Sequence, residues 1–321
     1  MRGENITHNR QPTKQLLAWI VIAVISLTVL LTYIQVSHMG NLRAMITGEQ
    51  RKPFVLRALA PMLIRLVGQA IPAEAIHAAL DQPALSPIIH QLCPDCHNYG
   101  LATLGILFLS LLAAIGGVMT LARDLGYSPI GEVVAVSSLL ASLLLLFTPF
   151  AAVYDLPILA LTAWCLVWIE RDRYELYLLT FCLANLCKET ALVLIPVYWL
   201  ASDRGRLAIY RVAEQIMVYL AGRAILMGTF LYNPGVVAEF HLMDFLYSSP
   251  NLLWGFMAIL ALLITLAAWH WDYKHPYLRQ SIAVMFPPLA ALYFVFGYPG
   301  EIRVFLEVWP VVVLLLIPTN L

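Results

Sequence analysis

Apolar runs of about 20 residues recur along this chain. A run of that length is what an α-helix needs to cross the roughly 30 Å of bilayer hydrocarbon. The runs are continuous rather than alternating, which argues against strands of a membrane barrel. They fall at 16–36, 101–122, 131–149, 156–169, 174–187, 188–201, 212–231, 251–270, 281–297 and 304–317 of the 321 residues, and several are shorter than a full crossing. The fold class expected is all-α: a polytopic helical membrane protein with about ten membrane segments. Composition agrees, with 61% hydrophobic residues, 12% charged residues and a mean hydropathy of +0.80. A soluble domain carries about twice that charge. The formal net charge is zero, so no basic face speaks for nucleic acid.

The division that follows is a cytoplasmic tail at 1–15 and a single transmembrane domain at 16–321. The domain includes an outer loop at 37–100, the longest stretch outside the runs. The first run, Leu16 to Val36, is too long for a signal-peptide core and lacks a small-residue cleavage site, so it reads as a retained helix. Orientation follows from Lys and Arg. With the N-terminus inside, the inner segments hold Arg2, Arg10, Lys14, Arg123, Arg171, Arg173, Arg204, Arg206, Arg211, Lys274 and Arg279, while the short outer connections hold little more than Lys188 and Arg303. This sidedness depends on 174–201 being two short helices. One continuous helix would move Lys274 and Arg279 outside.

Polar residues then gather on the expected outer side. Within the loop, Pro53 to Ile71 is mostly apolar and carries Arg57 and Arg65, which stand eight apart and so share a helical face. An interfacial amphipathic helix kinked at Pro61 is expected there. Its arginines attract anionic headgroups or clamp a phosphate entering from the bilayer. Asp155 opens a helix ahead of Pro157; it is a helix-start carboxylate or a group pointing into a cavity. Lys188-Glu189-Thr190 lies between apolar runs. Charges there are expensive unless they face a protein interior or water-filled cavity. They form a compensated pair at a helix break, or Lys188 meets an anionic substrate. Glu301 and Arg303 follow the Gly297-Tyr298-Pro299-Gly300 turn and are expected to pair with Lys188 or Asp155. Glu214 can snorkel, whereas Arg223 is deeper and needs a partner that the sequence does not name.

Cys93-Pro94-Asp95-Cys96-His97 matches C-x-x-C-H, the attachment pattern of c-type haem. In that chemistry two thiols bind the haem and His97 ligates iron, which would make the chain an electron-transfer subunit. The alternatives are a disulfide in an oxidising compartment, or two free thiols. Cys165, Cys182 and Cys187 lie in apolar runs and read as packing residues.

PFVLRALAPML, YDLPILAL, LCKETALVLIPVYWL and GEIRVFLEVWPVVVLLL together resemble bacterial polytopic proteins of the GT-C glycosyltransferase type. The resemblance implies a sugar taken from a polyprenyl-phosphate-linked donor, at the outer face of the inner membrane, in envelope glycopolymer assembly. It implies membrane lipid and that donor as partners, names no protein partner, and allows a divalent metal ion. The acidic catalytic base usual after the first helix has no Asp here; Glu49 is the only carboxylate in that segment. Catalysis is therefore expected from Asp155 or Glu49, and phosphate binding from Arg57, Lys188, Glu189, Glu301 and Arg303. A non-catalytic subunit retaining the scaffold is the third reading.

Overall fold

A computed structural model describes residues 12–36, 42–147, 151–202, 205–247, 261–262, 264–265, 268–269 and 271–317. The expected run at 251–270 lies mostly outside these residues. Among them the chain is helical, and its single β-bridge joins Lys52 to Gly235. Among the described residues four helices are long and apolar enough to cross a membrane: α1 (Pro12–Val36, over Trp19–Val36), α6 (His97–Asp124), α7 (Pro129–Leu146) and α13 (Pro276–Phe296). This is a helical membrane protein. The other runs form shorter helices, α8 (Asp155–Glu170), α9 (Tyr174–Cys187), α10 (Leu194–Ala201) and α14 (Trp309–Leu315). The longest of these, α8, has 16 residues and spans about 24 Å. The other long helix among the described residues, α11 (Arg206–Thr229), carries Arg206, Arg211, Glu214 and Arg223 along its length, and the short α12 (Leu242–Tyr247) follows it.

α6 is the central post, packed by α8, α7, α1 and the loop helices. Its contact with α8 is made by small residues, the usual means of close helix approach in membranes. A Cβ on Gly117 would stand 2.8 Å from the Ala163 Cβ, whereas one on Gly116 meets nothing nearer than 3.8 Å. Gly117→Ala should therefore lower stability by about 1–3 kcal/mol through overpacking. Gly116→Ala should be neutral or stabilising, since alanine favours a helix. Thermal melting of the two variants in detergent checks this contrast.

The segment 174–201 is a broken pair. Lys188 takes an extended conformation (φ −158, ψ 143) that ends α9, and a 3₁₀ turn at Glu189–Val193 leads into α10. α10 folds back along α9: the Tyr198 ring packs on Tyr174 at 5.4 Å and on Tyr177 at 5.2 Å. A continuous helix would separate residues 174 and 198 by about 36 Å.

The loop after α1 folds as α2 (Leu42–Thr47), a 3₁₀ turn at Phe54–Leu56, α3 (Leu59–Ala70), α4 (Ala73–Leu80) and α5 (Ser86–Leu92). The expected kinked helix over 53–71 needs correction. Arg57 lies at the end of the 3₁₀ turn with φ −101 and ψ 66, so it does not share a helical face with Arg65. Pro61 sits in the first turn of α3, where its missing N–H costs nothing and no kink results. α3 buries Ala60, Pro61, Ile64 and Gly68 and exposes Met62, Leu63, Leu66 and Val67, with Arg65 among the exposed group.

Candidate functional site

The breaks in the helices bring charge together at one end of the bundle. Because Lys188 and Glu189 flank the end of α9, their side chains diverge. Lys188 Nζ reaches inward to Glu307 Oε1 at 2.9 Å and to the Arg303 carbonyl at 3.5 Å. Glu307 is wholly buried and also accepts from the Thr190 hydroxyl. Glu189 turns the other way and receives Arg57 in bidentate fashion, Nη2 to Oε1 at 2.5 Å and Nε to Oε2 at 3.2 Å. Such forked pairing fixes direction as well as distance.

Tyr154 joins the two halves. Its hydroxyl accepts from Arg57 Nη1 and, at 3.2 Å, from Arg303 Nη1, and the Arg57 guanidinium lies 4.7 Å from its ring centroid. Arg303 also bonds Glu301 at 2.7 Å and stands 3.8 Å from Asp155, the pairing expected from sequence. Asp155 is buried at the start of α8 and accepts the Ala152 N–H at 2.6 Å. Beneath this layer, Arg223 finds its partners in Asn185 Oδ1 at 2.9 Å and the Leu56 carbonyl at 3.3 Å. Gly222 makes room for that amide, because a Cβ there would stand 2.5 Å from Asn185 Nδ2. Arg57, Lys188, Arg223 and Arg303 thus face Asp155, Glu189, Glu301 and Glu307, four charges against four.

This cluster forms the floor of a cleft of about 580 Å³. Arg57, Lys188, Glu189, Glu301 and Arg303 line it, and Phe54, Leu292, Phe296 and Val304 supply apolar wall. Its rim carries Glu239, His241 and Tyr298. His241 Nδ1 is 2.6 Å from Asp244, its Nε2 is 3.7 Å from Glu239, and its ring lies on Tyr298 at 3.7 Å. No family model, curated protein or solved structure matches the chain.

The structure therefore gathers six of the residues singled out in the sequence: Arg57, Asp155, Lys188, Glu189, Glu301 and Arg303. Not all six reach the cleft, and other residues lie apart from the cluster. Asp155 lies behind Arg303 and does not line the cleft. Glu49 is exposed on the stretch after α2, also away from the lining. Cys93 and Cys96 form a disulfide with Cα atoms 5.1 Å apart, which uses both sulfurs that a c-type haem would need. Among the described residues no group of three or more His, Cys, Asp or Glu side chains could hold a metal ion. Glu214, expected to snorkel, accepts the Tyr174 hydroxyl at 2.7 Å.

The sequence reading does not single out Tyr154 or Glu307. Glu307 carried a usable signal, as a carboxylate inside the last apolar run. Tyr154 carried none, since one tyrosine beside an aspartate does not show that two distant arginines converge on it.

The Glu301 carboxyl is held below the ordinary glutamate range. Burial pushes it up, but the neighbouring Arg303 guanidinium and the Tyr298 N–H outweigh burial. A depressed carboxylate contributes stability above its unfolded value, about 4.3, and loses that contribution as pH falls through its folded value. Glu301→Gln should therefore melt below wild type at neutral pH. The gap should narrow once pH drops under about 4.3 and close beneath the depressed value. Melting curves across acid pH test the sign.

Proposed function

We propose that the chain is a GT-C-like transferase of the bacterial inner membrane, with about ten membrane segments and a cytoplasmic N-terminus. It takes a sugar from a polyprenyl-phosphate-linked donor at the outer face during envelope glycopolymer assembly. One observation carries this reading: Arg57, Lys188 and Arg303 converge on a cleft whose wall includes Leu292 and Phe296 of the apolar helix α13. An isoprenoid phosphate has the same two-part chemistry, an anion joined to a long hydrocarbon. In this orientation α3 lies in the outer interface, with Met62, Leu66 and Val67 toward the acyl chains and Arg65 at headgroup level.

Transfer requires an acceptor hydroxyl to attack the anomeric carbon. The bond from that carbon to the phosphate oxygen breaks, and its electron pair leaves with the phosphate. Arg57 and Arg303 offset the charge that develops there. The hydroxyl proton goes to a base. Asp155 and Glu49 do not line the cleft, so this role falls to the rim pair Glu239 and His241, with Asp244 fixing the imidazole through Nδ1. In cells lacking the chain, the envelope glycopolymer should lose one sugar. The wild-type gene should restore it, and an Arg57→Ala/Arg303→Ala double variant should not. Unaltered glycopolymer in the deletion strain would sink the proposal.

The non-catalytic reading draws on a different observation. Glu189 and Glu301, the two carboxylates on the cleft floor, are each already bonded to an arginine. A protein that only holds the lipid phosphate would bind it, depend on Arg57, and show unaltered function in His241→Gln.

A further inference from the structure

The Cys93–Cys96 pair takes no part in the cleft, and its placement is poorly explained as a staple. It closes a loop with a sequence separation of 3. The stabilisation that a cross-link draws from chain entropy shrinks with loop length, so a loop this short gains least. The turn is also held without it. The Cys93 N–H donates to the Ile89 carbonyl at 3.0 Å, and the Cys96 N–H donates to the Cys93 carbonyl at 3.3 Å.

The placement does suit exchange. Cys93 is buried at 2% exposure whereas Cys96 is half-buried, so an incoming thiolate meets the Cys96 sulfur. Cys96 directly precedes α6, a helix of 28 residues whose N-terminus no side chain caps. The positive end of a helix favours a thiolate there. Two imidazoles stand beside the loop: the rings of His90 and His97 lie 4.4 Å apart, and His97 Nε2 is buried without a hydrogen-bond partner.

We infer that Cys93–Cys96 is a reversible dithiol–disulfide centre that exchanges with a partner dithiol. One thiolate of the partner attacks Cys96 Sγ. The Cys93–Cys96 bond breaks, and its electron pair leaves on Cys93 Sγ, which takes up a proton in its buried site. The partner's second thiolate then attacks the partner sulfur of the mixed disulfide and releases Cys96 as a thiolate at the head of α6. The chain is reduced by two electrons and the partner is oxidised to its disulfide.

The test uses the full chain in lipid nanodiscs with reduced glutathione as the probe, without denaturant. The reaction is quenched with iodoacetamide and followed by peptide mass spectrometry. The peptide holding both cysteines should gain one alkyl group, at Cys96, in the native quench and a second, at Cys93, once the quenched protein is denatured. Treatment of the reduced protein with oxidised glutathione before the quench should leave the peptide unalkylated, and the helical circular dichroism should stay unchanged throughout. In Cys96→Ser the buried Cys93 should stay unalkylated until the protein is denatured. The inference is overturned if the bond yields only to dithiothreitol in denaturant, as structural disulfides resist glutathione. It is also overturned if reduction unfolds the helices, or if the peptide carries a covalent haem with its visible absorption band.

Discussion

Lys188→Ala should be the most damaging single change in the chain, destabilising it by about 3–5 kcal/mol because it leaves a buried charge unpaired. Glu307 is wholly buried, and Lys188 Nζ is its only cationic contact among the described residues, at 2.9 Å. Water does not reach the abandoned carboxylate, and the Thr190 hydroxyl alone does not neutralise it. The loss should come from the unpaired partner rather than from any large net value of the pair. A triple variant, Lys188→Met, Glu307→Leu and Thr190→Val, removes both charges and the hydroxyl that would lose its acceptor. It should recover most of the lost stability, since a buried ion pair exchanged for packed apolar side chains is often neutral. Thermal unfolding in detergent, with monodispersity as the control for folding, measures both. A Lys188→Ala protein that melts like wild type would mean that Glu307 does not depend on Lys188 for its neutralisation.

Arg57→Ala should behave in the opposite way, keeping the fold and losing the ligand. Its partner Glu189 has a side chain 39% exposed, so water can hydrate that carboxylate once the guanidinium has gone. Its second partner, the Tyr154 hydroxyl, keeps Arg303 at 3.2 Å. The function is less forgiving, because a preorganised donor aimed at developing charge is worth about 10²–10³ in rate. On the proposed function, transfer from a polyprenyl-phosphate donor should fall by about that factor. Arg57→Lys should not rescue it, since an ammonium cannot reproduce the fork that holds Glu189 and Tyr154 together. Turnover kinetics on folded variants would show the loss. Equal activity of Arg57→Lys and wild type would reduce Arg57 to a generic positive charge.

The helical membrane class is legible from hydropathy alone, because apolar runs near 20 residues have few other physical uses. The meeting of Asp155, Lys188, Glu301 and Arg303 is legible for a related reason. Charges flanking apolar helices must find one another or water, and Lys and Arg bias sorts them to one end. Three features lie beyond the sequence. Arg57 looked like a helix-face partner of Arg65, yet it leaves the helix because Glu189 and Tyr154, 132 and 97 residues away, draw its guanidinium inward. Periodicity sees local spacing and is blind to such contacts. Asp155 looked available for chemistry because it heads a helix, but burial depends on what packs over that helix end, here Arg303. His241 and Asp244 fall outside any motif and become visible only when Tyr298 and Glu239 close around them.

On the proposed function, the cleft floored by Arg57, Lys188 and Arg303 holds a polyprenyl phosphate. The most direct measurement is photo-crosslinking of the full chain in nanodiscs with a polyprenyl phosphate that carries a diazirine beside the phosphate. Label should map to the peptides bearing Phe54 and Arg57, Glu239 and His241, or Phe296 and Arg303. Excess unlabelled polyprenyl phosphate should compete it away, and Arg57→Ala should abolish it. Label spread over the exposed apolar faces of α1 and α11, insensitive to competitor and to Arg57→Ala, would contradict the claim.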